Sequence, residues 1–392
     1  MKKTLIAVAA AAALTTSAFA EITFGGWGRA IWAPIASNGG DAVTFTSTSW
    51  GGKGRIGFGM DFTSENVDMH ADFKLEENDR ADINDQLKIV VRPIENLSIS
   101  IGKLQDDTLR GDCCYGSWNW LRPNWFGGMG DDNGVKSYKA EDEGLTFSRT
   151  IDLKGVAVKA TPVEGLVILA GVPVKDNSGE AKDMGNTSNL AEDAYKAAKV
   201  GFGYTIDGIG QIKAQFLGKG PSSDYGEDDT GDLEVAFKLS AVENLSAEVG
   251  FKMQLLDDSD AAKKLVALGA RYQVNDACAV AASAAVTLYG NSDIDPSMAF
   301  GAGVDYTLDN GIGLCADVRV AMPQNDIDPS IGFLLGASKG FSNGKLSVGF
   351  QGVSVAENSK TGLCGAMKPA KDGVEEVDGF VWAVPVCFEF SF

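Results

Sequence analysis

Apolar side chains recur at every second position along most of this chain, and the pattern is strictest in the final stretch, DGFVWAVPVCFEFSF. There Phe380, Trp382, Val384, Val386, Phe388, Phe390 and Phe392 alternate with Ala383, Pro385, Cys387, Glu389 and Ser391. Successive side chains of a strand point to opposite faces, so a period of two predicts a strand with one largely aromatic face and one smaller, more polar face. The same alternation marks Ile56, Phe58, Met60 and Phe62, then Val67, Met69, Ala71 and Phe73, then Leu97, Ile99 and Ile101. It returns in Leu245, Ala247, Val249 and Phe251 and in Leu346, Val348 and Phe350.

These segments come in pairs joined by short turns. LKIVVRPIENLSISIG, VAVKATPVEGLVILAG and LEVAFKLSAVENLSAEVGF share one turn form, while VGFGYTIDGIGQIKAQF, GAGVDYTLDNGIGLCADVRV and LGASKGFSNGKLSVGF place Asp-Gly or Asn-Gly where a tight hairpin requires it. GRIGFGMDFTSENVDMHADF and VALGARYQVNDACAVAASAAV complete eight hairpins. DIDPSMAFGAGVDYTLDNG, from Asp293, is echoed by DIDPSIGFLLGASKGFSNG, from Asp326, an offset of 33 residues or one hairpin pair. With EITFGGWGRAIWA before them and the terminal strand after, the count is about 18 strands, 16 being the nearest alternative. Each segment runs about 8 to 13 residues, near the roughly 9–11 that a tilted strand needs to cross a bilayer. The expected fold class is all-β: a transmembrane antiparallel barrel with short turns at one rim and longer loops at the other. A soluble sandwich is the rival, but it would not keep one face apolar in nearly every strand.

The start of the chain, MKKTLIAVAAAAALTTSAFA, joins Lys2 and Lys3 to an apolar run and an Ala18-Phe19-Ala20 ending. That is the form of a secretory signal peptide over residues 1–20, leaving 21–392 as the barrel. The 34 basic residues less Lys2 and Lys3 leave 32 against 53 acidic ones, a formal charge of −21 on residues 21–392. Nucleic acid is a poor partner for such a chain, because phosphate binding needs a basic stripe.

If the apolar parity faces lipid, the opposite parity lines the interior. It carries Arg29, Arg55, Lys74, Lys88 and Arg92 as an early basic cluster, with Asp61, Asp68, His70 and Asp72 among them. Later segments add Lys159, Lys199, Lys213, Lys238, Lys252, Arg271 and Arg319 against Glu234, Glu248, Asp305, Asp317 and Glu389. Burying so many unpartnered charges is costly, which predicts a wet interior. Arginine at Gly57 or Gly250 is expected to be tolerated there, unlike arginine at the neighbouring Phe58 or Val249.

The leader, the hairpin repeat and the ending VCFEFSF together resemble the bacterial outer-membrane porins, over the whole of residues 21–392 as architecture. The resemblance implies a water-filled outer-membrane channel for passive diffusion of small hydrophilic solutes and ions, associated as a homotrimer in outer-membrane lipid. It also implies that Phe388, Phe390 and Phe392 form the signal read by the barrel-assembly machinery. The longest connection, Leu104 to about Lys154, is the third outer loop, which in general porins folds inward and narrows the barrel. Its Asp106, Asp107, Asp112, Asp131 and Asp132 are then expected to face the basic cluster across a constriction; the competing expectation is a loop lying over the mouth. No local motif fixes the solute, and a sugar-selective porin or a surface adhesin are the alternatives, Trp118, Trp120, Trp125 and Phe126 being suited to stacking on sugar rings.

No cofactor and no metal site is expected: there is no C-x-x-C and only one histidine. Among the six cysteines, a bridge from Cys113 or Cys114 to Cys364 is one candidate pairing. Catalysis would have to use His70, set between Asp68 and Asp72 on the inward parity, and no matching nucleophile accompanies it.

Overall fold

The computed structural model describes residues 21–38, 43–46, 55–76, 81–111, 146–174, 196–218, 229–256, 262–322, 329–355 and 379–392. The strands are β1 (Glu21–Asn38), β2 (Val43–Thr46), β3 (Arg55–Thr63), β4 (Val67–Glu76), β5 (Ala81–Ile94), β6 (Leu97–Asp106), β7 (Ile151–Ala160), β8 (Leu166–Pro173), β9 (Lys199–Ile206) and β10 (Gly210–Gly218). They continue as β11 (Asp229–Leu239), β12 (Leu245–Leu256), β13 (Lys263–Asn275), β14 (Cys278–Tyr289), β15 (Ser297–Thr307), β16 (Ile312–Met322), β17 (Ser330–Phe341), β18 (Gly344–Val355) and β19 (Gly379–Ser391). From β3 onward every strand pairs antiparallel with the next, and β19 pairs with β1, so the sheet closes on itself. β1 pairs with β3 along Glu21 to Arg29 and with the short β2 beyond Ala33, so β2 and β3 share one stave. The result is an 18-stave barrel, and the 33-residue echo superposes the β15–β16 hairpin on β17–β18 in the strand order.

Eight tight turns lie at one rim, together with the start of β1 and the end of β19, as Glu21 pairs opposite Thr63 at the β3–β4 turn. The turn shared by two of the repeated hairpins has a conformational reason. Gly165 and Asn244 hold equivalent places in VEGL and VENL, and both adopt positive φ, 78° and 64°. Glycine and asparagine are the residues that tolerate this region best.

The two parities separate as the alternation predicts. Ile56, Phe58, Val67, Met69, Ile89, Val91, Val200, Phe202, Val235, Val249, Phe251, Val266, Leu268, Phe300, Leu335, Val348 and Phe388 are all exposed on the outer wall. The opposite face carries Lys213, Gln215, Glu234, Glu248, Lys252 and Asp317. A sheet with an apolar outer band and a polar inner face is stable only where lipid covers the outside. Replacing Phe58, an exposed outer-wall residue, with arginine is expected to destabilise the barrel by about 2–4 kcal/mol, the cost of that side chain near the bilayer midplane. Urea-induced unfolding in lipid vesicles measures it, and a stability equal to the parent would reverse the assignment of faces.

On β7 and β8 both parities are apolar: Val156, Ile168 and Val172 point out, while Ile151, Leu153, Ala157 and Leu169 are buried inside. A strand that is apolar on both faces is covered on both faces.

Candidate functional site

The inner cover is supplied by the chain itself. β6 and β7 remain paired to their ends, from Leu97↔Ala160 to Asp106↔Ile151. β6 keeps its pairing with β5 as far as Lys103, and β7 pairs with β8 only from Gly155 onward. Six residues of straight strand would separate Ile151 from Ala157 by roughly 20 Å. Yet a Cβ on Gly171, which pairs with Ala157, would lie 2.8 Å from Ile151 Cδ1 and 2.9 Å from Leu153 Cδ2. The outer part of the β6–β7 ribbon therefore turns sharply at the paired Gly102 and Gly155 and lies back against the inner wall. Gly102 adopts φ 134°, and a Cβ there would sit 2.0 Å from the Leu87 carbonyl oxygen; at Gly155 it would sit 2.2 Å from that of Val172. Only glycine fits this corner.

The turned-in ribbon and its two continuing limbs, 107–111 and 146–150, rest on an apolar seat. Leu104, Leu109, Phe147, Ile151 and Leu153 cluster with Ala157, Leu169 and Ala236, with Val167 packed alongside. Gly201, Gly203 and Gly250 leave room on the wall: Cβ atoms there would meet Thr150, Leu109 and the Thr146 backbone. Beyond the apolar seat, the limb meets polar wall residues. The Thr146 hydroxyl bonds Glu248, the Ser148 amide donates to Glu234 at 2.7 Å, and the Thr150 hydroxyl donates to Gln215 at 2.6 Å. Lys213 pairs with Glu248 at 2.6 Å, and Lys252 lies 3.2 Å from Asp232 and 3.4 Å from Glu234. Lys213 also stands over the Phe147 ring, 5.2 Å from its centroid. This third of the wall is dry and paired, where the sequence predicted open water; Gly57, under the Trp27 indole, and Gly250, under Thr146, are likewise covered and not wet.

The expected constriction residues fall into three groups. Asp106 sits on the ribbon with Lys159 at 3.6 Å, and Lys159 also donates to Thr108 at 2.5 Å. Lys88, bonded to Gln86, shares a crevice with Asp106 and Lys159. Of these, Lys159 is the partner of Asp106, and Lys88 lines the same crevice. Asp107 does not face the early basic cluster: it pairs with Arg149 at 2.6 Å and Arg110 at 3.7 Å, tying the two limbs to each other. Arg92 does not reach the ribbon either. It binds Asp68 through both terminal nitrogens and donates to the Ser64 carbonyl, bracing the β3–β4 turn. Arg29 lies over the Trp27 ring and 3.8 Å from Glu389 of β19. Lys74 stands opposite Gly57, and Arg55 opposite Arg29, in the strand register. Asp112, Asp131 and Asp132, the four loop aromatics, and Cys113, Cys114 and Cys364 lie outside the described residues. The connection itself is residues 107–150, shorter than Leu104–Lys154, because the strands run further.

His70 lies between Asp68 and Asp72 on the inner face of β4 but contacts only one of them. Its Nδ1 meets Asp61 across the hairpin at 2.5 Å and its Nε2 meets Asp72 at 3.0 Å, while Asp68 is taken by Arg92. Cys278 and Cys387 are free thiols.

A closed barrel with an apolar outer band, a charged inner wall and a ribbon folded into its interior is the architecture of a diffusion channel, and sequence comparison gives its family. A family model of Gram-negative porins matches residues 7–328. The chain belongs to the Gram-negative porin family. No curated protein matches the sequence. Among solved structures, this porin is similar to an anion-selective porin from Comamonas acidovorans, with a TM-score of 0.51 and 13% identity over 95% of this chain and 100% of that one. It is similar also to Salmonella typhi OmpF in complex with daunomycin, with a TM-score of 0.52 and 11% identity over 95% and 97% of the two chains. At such identities these two likenesses bear on fold. The porin resides in the outer membrane and forms a water-filled channel for passive diffusion of small hydrophilic solutes and ions. Its fold and family are those of a channel rather than of an enzyme.

Proposed function

We propose that the inward-turned ribbon and the connection it carries form the constriction of the channel, and that the charges around them set its ion preference. The observation that carries this reading is the corner at Gly102 and Gly155, which sends both limbs of the longest connection onto the inner wall. Asp106 on the ribbon, paired with Lys159 beside Lys88 on the wall, then brings a carboxylate and two ammonium groups to the edge of the narrowed section, where their charges bias the ions that pass. Arg29, Arg55 and Lys74 extend the basic side, and Asp112, Asp131 and Asp132 the acidic one. Three such barrels associate as a homotrimer in outer-membrane lipid, exported by residues 1–20 and inserted by the assembly machinery through Phe388, Phe390 and Phe392.

Planar-bilayer recording tests the constriction. Deleting residues 112–145 is expected to raise the unitary conductance, and neutralising Lys88 and Lys159 together to shift the reversal potential toward cations by leaving Asp106 unopposed. A loop lying across the mouth predicts unchanged current and selectivity in both variants.

A further inference from the structure

The limb 146–150 is held by two carboxylates that each divide their oxygens between wall and limb. Glu248 gives one oxygen to the Lys213 ammonium, at 2.6 Å, and the other to the Thr146 hydroxyl. Glu234 lies against Lys252 through one oxygen, at 3.4 Å, and accepts the Ser148 amide through the other, at 2.7 Å. Gln215 completes the set: its amide nitrogen donates to the Ser148 carbonyl at 3.0 Å and to Glu234 at 2.6 Å, while its oxygen accepts from Thr150. Lys213, Gln215, Glu234 and Glu248 are 1%, 3%, 1% and 4% exposed. A wall built only to neutralise itself would pair its charges and leave them partly exposed, as Arg271 of β13 and Asp305 of β15 are.

We propose that Glu234 and Glu248 are positioning residues for the constriction: oriented by Lys252 and Lys213, they pin the 146–150 limb and so fix the channel at one width. This rests on the constriction reading above and adds what holds it still. Charge-assisted bonds from a carboxylate to a hydroxyl and an amide are stronger than neutral ones, and here they are sheltered from water. The limb's apolar contact with the wall, through Phe147, is non-directional and allows sliding, and its directional bonds to the 107–111 limb, Arg149 to Asp107 and the Gly111 amide to the Phe147 carbonyl, join the two limbs without fixing them to the wall.

Single-channel recording of three proteins tests this. Glu234→Ala with Glu248→Ala should still give a heat-modifiable barrel, but lose the single current level, replaced by several levels of higher mean. Thr146→Val with Thr150→Val removes the two limb hydroxyls that bond the wall without touching the wall itself, and should produce the same loss to a smaller degree; it decides the matter if the wall variant does not assemble. The deletion of residues 112–145 is the reference. If the deletion raises conductance while both substituted proteins keep one steady level and only melt earlier, the glutamates merely stabilise the wall and the pin is wrong. If the deletion itself leaves the current unchanged, the constriction reading falls and the pin falls with it.

Discussion

Porin lacking Phe392 is expected to fail to close its barrel. Phe392 and Gly26 exchange two backbone hydrogen bonds of 2.9 Å each, the last rung of the seam between β19 and β1. Inside lipid an unpaired backbone group has no water to turn to, and each one costs several kcal/mol. The side chain contributes as well. Phe390 and Phe392 lie over Gly28 and Gly26, where a Cβ would stand 2.2 Å and 2.4 Å from their rings, so the glycines of β1 form a shallow bed for the aromatic end of β19. Gly26→Val should therefore weaken closure in the same direction, by lifting the ring off the seam. The check is gel mobility with and without heating, together with protease resistance of outer-membrane fractions. A truncated protein that stays heat-modifiable and resistant would show that the terminal rung is dispensable.

Gly250→Ala should have the opposite character, an intact barrel with a wider channel. Gly250 faces inward on β12, paired with Ala236 and Ala267, and a methyl group there leaves both pairings alone. It cannot avoid the limb: the added Cβ would lie 1.8 Å from the Thr146 carbonyl oxygen and 2.8 Å from its carbon, both backbone atoms that no rotamer moves aside. The limb must leave the wall, breaking the bonds from Thr146 and Ser148. A rise in unitary conductance in a barrel that still assembles and stays heat-modifiable is the expected result, and an unchanged current would mean that the limb has room to yield in place. The adjacent Val249→Arg, on the outer wall, should destabilise the barrel instead, so two neighbouring positions separate the two faces of one strand.

Much of this fold was legible because a barrel strand obeys a local rule. Lipid outside and polar surface inside force a period of two, and residues such as Phe58, Val249 and Phe350 carry it openly, as do the turn residues Gly165, Asn244 and Asn310-Gly311. The strand count, the outer face and the inward placement of Lys213, Glu234, Glu248 and Lys252 all follow from that alternation.

What lies inside the barrel obeyed no local rule. Gly102 and Gly155 read as two among 48 glycines, and only the pairing of β6 with β7 sets them side by side as a corner. Thr146, Ser148 and Thr150 have no periodicity of their own, and their partners stand 65 to 102 positions away in sequence. A signal did exist in β7 and β8, apolar on both parities and therefore covered on both faces, but nothing local says by what. The choice of partners for Asp106, Asp107 and Arg92 was likewise tertiary, because charge pairing depends on distances of a few ångströms that chain closure alone establishes. The sequence determined which side of each strand meets lipid, since that is a property of single residues against a solvent. The width and charge of the channel were decided by a ribbon folded across the wall, since those depend on which distant residues the closed sheet brings together.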